Sequence, residues 1–375
     1  MKKEIDPNEI IKFFSIIPDP RIERTKEHKL IDIIVIALSS VMCGAEGWIE
    51  IQEFGKGKKE WFESFLELPN GIPSHDTFRR VFMILDPNNF REVLIKWTKQ
   101  VTKRMKGEIV SIDGKTARGS QKNGKAVLHS VSAWAHDAGV VLGAVKTAEK
   151  SNEITAIPEL LKSLDVKGSI VTIDAMGCQK KIVKEIRKSG ADYVLSLKGN
   201  HGDLHDDISL YLSDARKRKF KGIKHSYYKS IDENHGRKEE REYWITDEIG
   251  WLVNRGQWKD LKSIGMVFSR REVKGKISEE LRYYLCSIEV NAGKFARAAR
   301  GHWGVENSLH WVLDVCFRED DCRVRSGNAP ENLAILRRLS LNILKHTKHH
   351  NRGIKVKMKR AGWDNSFLQA LLCEI

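Results

Sequence analysis

Residues 108–114, EIVSIDG, form a short apolar run that ends in an acid, and residues 169–177, SIVTIDAMG, repeat the pattern. Runs of this length, rich in Ile and Val and closed by a glycine, read as buried strands. Each sets an aspartate, Asp113 or Asp174, where a rigid backbone reaches the edge of the sheet. The surrounding sequence keeps the theme. AVLHSVSAWAHDAGVVLGAVKT (126–147) reads as two strands joined by a turn at 136–139, and ADYVLSLKGNH (191–201) reads as a fifth strand. NEITAIPELLKSL (152–164), CQKKIVKEIRKSG (178–190) and GDLHDDISLYLSDAR (202–216) have helical spacing. Three strands, helix, strand, helix, strand, helix predicts a mixed α/β sheet, not a simple parallel one.

The flanks differ. Residues 1–105 show helical spacing, opened by Asp6-Pro7 as a cap and first-turn proline. Within them PSHDTFRRVFMIL (73–85), capped by Ser74, puts Thr77, Arg79 and Arg80 on its outer positions. That pattern fits a DNA-contacting helix or a plain packing helix. Between 217 and 290 the runs KHSYYKSID, REYWIT, SIGMVFSRREV and ELRYYLCSIEV predict a β-rich insertion, with ENHGRKEE as a turn. Helical spacing returns in RGHWGVENSLHWVLDV (300–315) and NAPENLAILRRLSLNILK (328–345). The segment HTKHHNRGIKVKMKR (346–360) has six Lys/Arg and no acid, and reads as a basic tail, either solvated or in contact with phosphate. The organisation predicted is a helical N-terminal domain over 1–105 and an α/β domain over 106–375.

The formal net charge of +15 favours a polyanionic partner, nucleic acid before an anionic membrane. The most apolar run, residues 30–45, contains Asp32 and is short for a membrane span, so a buried core helix is expected. No apolar segment follows the lysines of the N-terminus, so no secretory signal is expected. The six cysteines are scattered without a CxxC pair and read as reduced thiols of a cytoplasmic protein. Cys316 and Cys322 match no common zinc spacing.

A third acid stands apart. On a helix, His302, Glu306, His310 and Asp314 form a slanting polar stripe beside the apolar Val305, Leu309, Val312 and Leu313. Glu306 thus sits at a core border. Two aspartates ending adjacent strands repel unless a cation lies between them. Hard Mg²⁺ or Mn²⁺ prefers such oxygen ligands. Two ions roughly 3.5–4 Å apart can activate a hydroxyl and stabilise the leaving oxygen in phosphodiester chemistry. Asp113, Asp174 and Glu306 are therefore the candidate metal ligands. Singly each reads as a cap or salt bridge; in the order strand, strand, helix they read as a set.

SIDGKTARGS (111–120), VTIDAMGCQ (171–179), YVLSLKGNH (193–201), HGRKEER (235–241) and RGHWGVENSLHWVLDVCFREDDCRVRSGNAPENLA (300–334) together resemble an insertion-sequence transposase of the DDE class. The resemblance is closest to the H-repeat-associated group found with Rhs elements and covers essentially the whole length. It implies an RNase H-like fold with a five-stranded mixed sheet and a β-rich insertion before the glutamate. It implies Asp113, Asp174 and Glu306 as catalytic triad, with two Mg²⁺ or Mn²⁺ ions and no nucleotide cofactor. The implied reaction is nicking at element ends and strand transfer into target DNA, by a dimer or larger assembly on double-stranded DNA, in a bacterial cytoplasm at the nucleoid. Related transposases carry Tyr and Arg before the Glu and Lys seven residues after it; here those positions are Ala299, His302 and Leu313. Phosphate contact then falls to Arg300 and His302. Lys115, Lys198, His201, Arg237 and His310 are the remaining candidate DNA contacts, each also readable as an ordinary surface or packing residue. Two other functions fit the same residues: a DNA-binding protein that no longer cuts, and a nuclease without strand transfer.

Overall fold

A computed structural model describes residues 7–102, 105–120, 128–147, 153–234, 236–253, 255–347 and 351–375. Strand β1 (Ile109–Ala117) organises the sheet. On one side it pairs antiparallel with β2 (Leu128–Ala135), which pairs antiparallel with β3 (Val140–Thr147). On the other it pairs parallel with β4 (Ile170–Ile173), which pairs parallel with β5 (Asp192–Leu197). The parallel steps pass through helices α7 (Glu153–Ser163) and α8 (Lys180–Lys188), as crossovers must. All of β2 and β4 is buried, so both faces of these strands are covered.

The β-rich segment is not a separate insertion body. Its strands β6 (Ser226–Asn234), β7 (Arg237–Thr246), β8 (Ser263–Val273) and β9 (Lys276–Cys286) continue the same sheet. The result has nine strands in the order β3-β2-β1-β4-β5-β9-β8-β7-β6, not five. β9 closes the edge that β5 would otherwise leave open, pairing Val194 with Cys286 through Leu197 with Tyr283. The outer ends of β8 and β9 are exposed on both faces.

Side-chain alternation sets the layers. Ser111 of β1 donates to the carbonyl of Gly301 on helix α10 (Ala292–Val305) at 3.1 Å. Gly114, on the opposite face, lies against Glu153 of α7. Helix α12 (Ala329–His346) packs on β3 and also on α2 (Leu30–Met42), α5 (His75–Ile84) and α6 (Pro87–Val101), so these helices and the sheet share one core. α2 is apolar all round because it is buried all round; its one acid, Asp32, accepts the backbone N–H of Leu68 at 3.2 Å. Ser74 caps α5 by accepting from the Thr77 N–H, and both Arg79 and Arg80 pair with Asp76 at 2.7 and 2.6 Å.

The basic segment 346–360 is not a tail. His346 ends α12, residues 348–350 lie outside the described residues, and α13 (Ile354–Trp363) and α14 (Asn365–Leu372) follow. Met358 and Ala361 are buried, and Lys357 donates to the carbonyls of Leu344 and Thr347 at 2.8 and 3.4 Å. The charge density of the segment hid a short amphipathic helix. No helix among the described residues is long and apolar enough to cross a membrane.

Candidate active site

The register of β1 and β4 decides the geometry. Ser111 stands beside Thr172, and the Thr172 hydroxyl donates to Ser111 Oγ at 3.0 Å. The next residues, Ile112 and Ile173, are also partners. One step further along both chains come Asp113 and Asp174, on the face that α10 covers. Asp174 lies just past the last residue of β4. Its Oδ1 accepts the backbone N–H groups of Met176 and Gly177, both at 3.1 Å, which fixes the carboxylate.

Glu306 follows the last residue of α10. The helix does not run straight through it: residues Glu306–His310 form a π-helical turn, with the Trp311 N–H donating to the Glu306 carbonyl. α11 (Trp311–Val315) then resumes the ordinary pitch. Wide turns of this kind interrupt helices at functional positions more often than elsewhere. Glu306 is exposed, and among the described residues no group donates a hydrogen bond to its carboxylate. The two neighbouring histidines turn to the strands instead, His302 to Thr172 and His310 to Asp113. His302 Nδ1 is 3.5 Å from Thr172 Oγ1, and His310 Nδ1 is 3.5 Å from Asp113 Oδ2.

The electrostatics match. Burial, followed by the charges of Asp174, Glu153 and Glu306, pushes the Asp113 carboxyl up to about 7, against the Gly114 N–H that pulls it down. Burial first, then the nearby cations Arg338 and Lys115 and the imidazole of His302, pushes His310 down to about 3, so its ring is neutral. Burial likewise holds His302 below the ordinary histidine range. Among the described residues no group of three or more His, Cys, Asp or Glu side chains is gathered closely enough to hold a metal ion. The donor set still suits a hard cation: two adjacent aspartates and a nearby glutamate, all oxygen, with no ion pair to Asp174 or Glu306 among the described residues.

The remaining expected contacts divide. Lys198 is exposed at the end of β5 and its charge reaches His302. Arg300 pairs with Asp232 of β6, which also holds Arg241 at 3.1 Å. Arg237 pairs with Glu239 at the outer end of β7, opposite Val273, and Glu239 also holds Arg241. His201 packs edge-on against Trp258 at 5.5 Å. Lys115 is buried and paired with Asp314 and Asp320 at 2.6 and 3.3 Å, which is not the open phosphate contact its position suggests.

Sequence reading missed the groups beneath the site. On the far side of β1, His129 Nδ1 is 2.7 Å from Thr116 Oγ1 and its Nε2 is 2.5 Å from Glu153 Oε1. A Cβ on Gly114 would lie 2.2 Å from that Glu153 oxygen. Gly114→Ala should therefore lower stability by roughly 1–3 kcal/mol, measured by urea unfolding. An unchanged midpoint would mean that Glu153 moves aside freely. Arg338, in a leucine-rich helix, is the other omission; it is 1% exposed and binds Glu319, Ser130 and Ser132. A helix buried on every side was the only signal for it.

A mixed sheet with two aligned aspartates under a helix that brings a glutamate defines a class, and the comparisons place the chain in it. Residues 104–343 match the family described as Transposase DDE domain, and residues 11–98 match the family described as DDE_Tnp_1-associated; the chain belongs to the Transposase DDE domain family. It is 40% identical over 369 residues to "Putative transposase YncI" of Escherichia coli O157:H7, covering 97% of this chain and 94% of that one. It is 39% identical over 370 residues to "H repeat-associated putative transposase YhhI" of Escherichia coli strain K12, covering 97% of each. A solved piggyBac transposase synaptic complex with hairpin DNA aligns at a TM-score of 0.49, with 13% identity, over 99% of this chain and 82% of that one.

Proposed function

We propose that this protein is a metal-dependent DNA transposase that nicks insertion-sequence ends and transfers the freed 3′-hydroxyl into target DNA. The observation that carries the reading is the β1–β4 register, which sets Asp113 beside Asp174 on the face covered by the Glu306 helix. The strand order β3-β2-β1-β4-β5, with two antiparallel and two parallel steps, supports an RNase H-like core within the larger sheet. Asp113 and Asp174 would hold the ions, Mg²⁺ or Mn²⁺. Glu306, longer and free of donors, is the group able to swing in and complete the set. Bound ions would polarise the phosphate and lower the pKa of an attacking water or hydroxyl. Asp174 is presented by two backbone amides, and His310 beside Asp113 and His302 beside Thr172, both neutral, line the site without competing for the carboxylates as charges. Lys198 and Arg300 lie where they could meet DNA phosphates, Arg300 after release from Asp232. A net charge of +15 supports duplex DNA as partner, with binding that weakens steeply as salt rises.

The test is a labelled duplex carrying the parent element's end, incubated with and without Mg²⁺ or Mn²⁺. Wild type should nick at the element boundary only with metal, while Glu306→Ala binds the duplex and leaves it intact. Binding by both proteins with no cutting under any metal would refute the enzyme reading in favour of a DNA-binding role. Nicking that persists in the variant would show that the third carboxylate lies elsewhere.

A further inference from the structure

Lys115 lies two residues beyond Asp113 on the same face of β1, and its side chain is 7% exposed. A buried ammonium needs partners for its charge and its donors. It has two carboxylates from two different elements. Asp314 belongs to α11, at 2.6 Å, and Asp320 belongs to the 3-10 turn Glu319–Asp321, at 3.3 Å. Asp320 is itself tied to the end of β1: it accepts the Arg118 N–H at 3.4 Å. A Cβ on Gly119 would lie 2.5 Å from its carbonyl oxygen, so the two backbones touch. Among the described residues Asp314 has no such tie apart from the lysine.

We propose that Lys115 is a positioning residue, not a phosphate ligand: by clamping Asp314 to β1 it fixes how closely the π-helical turn brings Glu306 to Asp113 and Asp174. This rests on the reading of those three carboxylates as a metal site. The layout supports it. The helical segment is tied to β1 by hydrogen bonds on both sides of Glu306. Upstream, Gly301 accepts from Ser111 and lies so close to Ile109 that an added Cβ would stand 2.8 Å from its side chain. Downstream is the Lys115–Asp314 pair. Ser111, Asp113 and Lys115 alternate along one strand face, so Asp113 sits between the two anchors. The turn between them departs from the regular α-helical hydrogen-bonding ladder, and it is also held by Leu309 in the core, by His310 at 3.5 Å from Asp113 and by Lys345, which donates to the Ser308 carbonyl at 2.9 Å. A DNA phosphate could reach the ammonium only by displacing two carboxylates.

The test compares wild type with Lys115→Met, Asp314→Asn, the double variant and Lys115→Arg on the labelled element end. Three quantities are read: duplex affinity against salt, nicking rate against Mg²⁺ concentration, and amide exchange over 306–316. Lys115→Met and Asp314→Asn should each keep wild-type affinity and salt dependence. Each should lose about a hundredfold in nicking rate, the usual cost of an ångström-scale misplacement. Each should also need more Mg²⁺ and exchange faster over 306–316. The double variant should be no worse than either single one, because both remove one interaction. Lys115→Arg should restore part of the rate. The proposal is overturned if Lys115→Met weakens DNA binding and lowers the salt slope by about one while Asp314→Asn does not, the signature of a phosphate contact. Unchanged exchange in both single variants overturns it as well. If wild type never nicks but both variants exchange faster, the clamp stands and the metal-site reading fails, so the two failures are distinct.

Discussion

Asp113→Asn should destroy nicking and yet make the metal-free protein more stable. Asp113 is buried among Asp174, Glu153 and Glu306, and its carboxyl titrates at about 7 against an ordinary value of 3.8. The folded state therefore prefers the protonated acid. The sign follows: stability is highest below the unfolded-state value, falls as pH rises from about 4 to 7, and levels off above. The full loss is roughly 2–4 kcal/mol, with partial solvent exposure reducing it. Asparagine removes the charge and with it the loss. Urea unfolding without metal should show the variant gaining on wild type from pH 4 to pH 7, with a constant gap beyond. Mg²⁺ at pH 8 should stabilise wild type and leave the variant nearly unmoved. The nicking rate should fall by at least about a thousandfold, about 4 kcal/mol of barrier. A variant less stable than wild type at pH 8, or equally stabilised by Mg²⁺, would show that Asp113 is structural.

Arg338→Met should be the most destabilising single change near the site. The guanidinium is 1% exposed and donates to Glu319 Oε1 at 3.0 Å, Ser132 Oγ at 3.2 Å and Ser130 Oγ at 3.1 Å. Removing it leaves the Glu319 carboxylate, 2% exposed, without its counter-charge. Breaking such a pair from one side costs about 3–5 kcal/mol. Removing both charges, in Arg338→Met with Glu319→Leu, should recover most of that, because neither ion is then left stranded. Chemical denaturation of the three proteins decides it: a single variant within about 1 kcal/mol of wild type would mean that water reaches the pocket. Ser132 is the β2 partner of Asp113, so the loss should also loosen the strand beside the candidate site.

The strands, their order of acids and the helix bearing Glu306 were legible because apolar period and run length are local properties. The two aspartates could be set side by side from sequence because each ends a like apolar run, but β1 continues past Asp113 to Ala117 in its pairing with β2, so only Asp174 stands at a strand end. What stayed hidden were pairings across long stretches of chain. Lys115 and Asp314 are 199 positions apart, and no periodicity links them. The same holds for β9 on β5, which turned an expected insertion into a continuation of the sheet. His302 and His310 stand one turn either side of Glu306 on a straight helix; in the structure His302 meets Thr172 and His310, on the π-helical turn, meets Asp113. The reading of 346–360 as a tail failed because charge outweighed the buried positions Lys357, Met358 and Ala361 of the helix that begins within it.

The π-helical turn also sets the phase of everything after it. An α-helix advances about 100° per residue, so one surplus residue rotates all later side chains by about that angle. Counting in ordinary turns from Glu306 would aim Asp314 well to one side of β1. With the widened turn Asp314 meets Lys115 while Leu313 goes into the core. Closing the turn to the ordinary pitch without losing a residue would swing Asp314 off the strand, whereas deleting one residue from 307–309 would restore a regular helix and keep Asp314 in phase with Lys115. The irregularity is a one-residue offset between two faces of the same rod, and the segment's sequence is tuned to that offset.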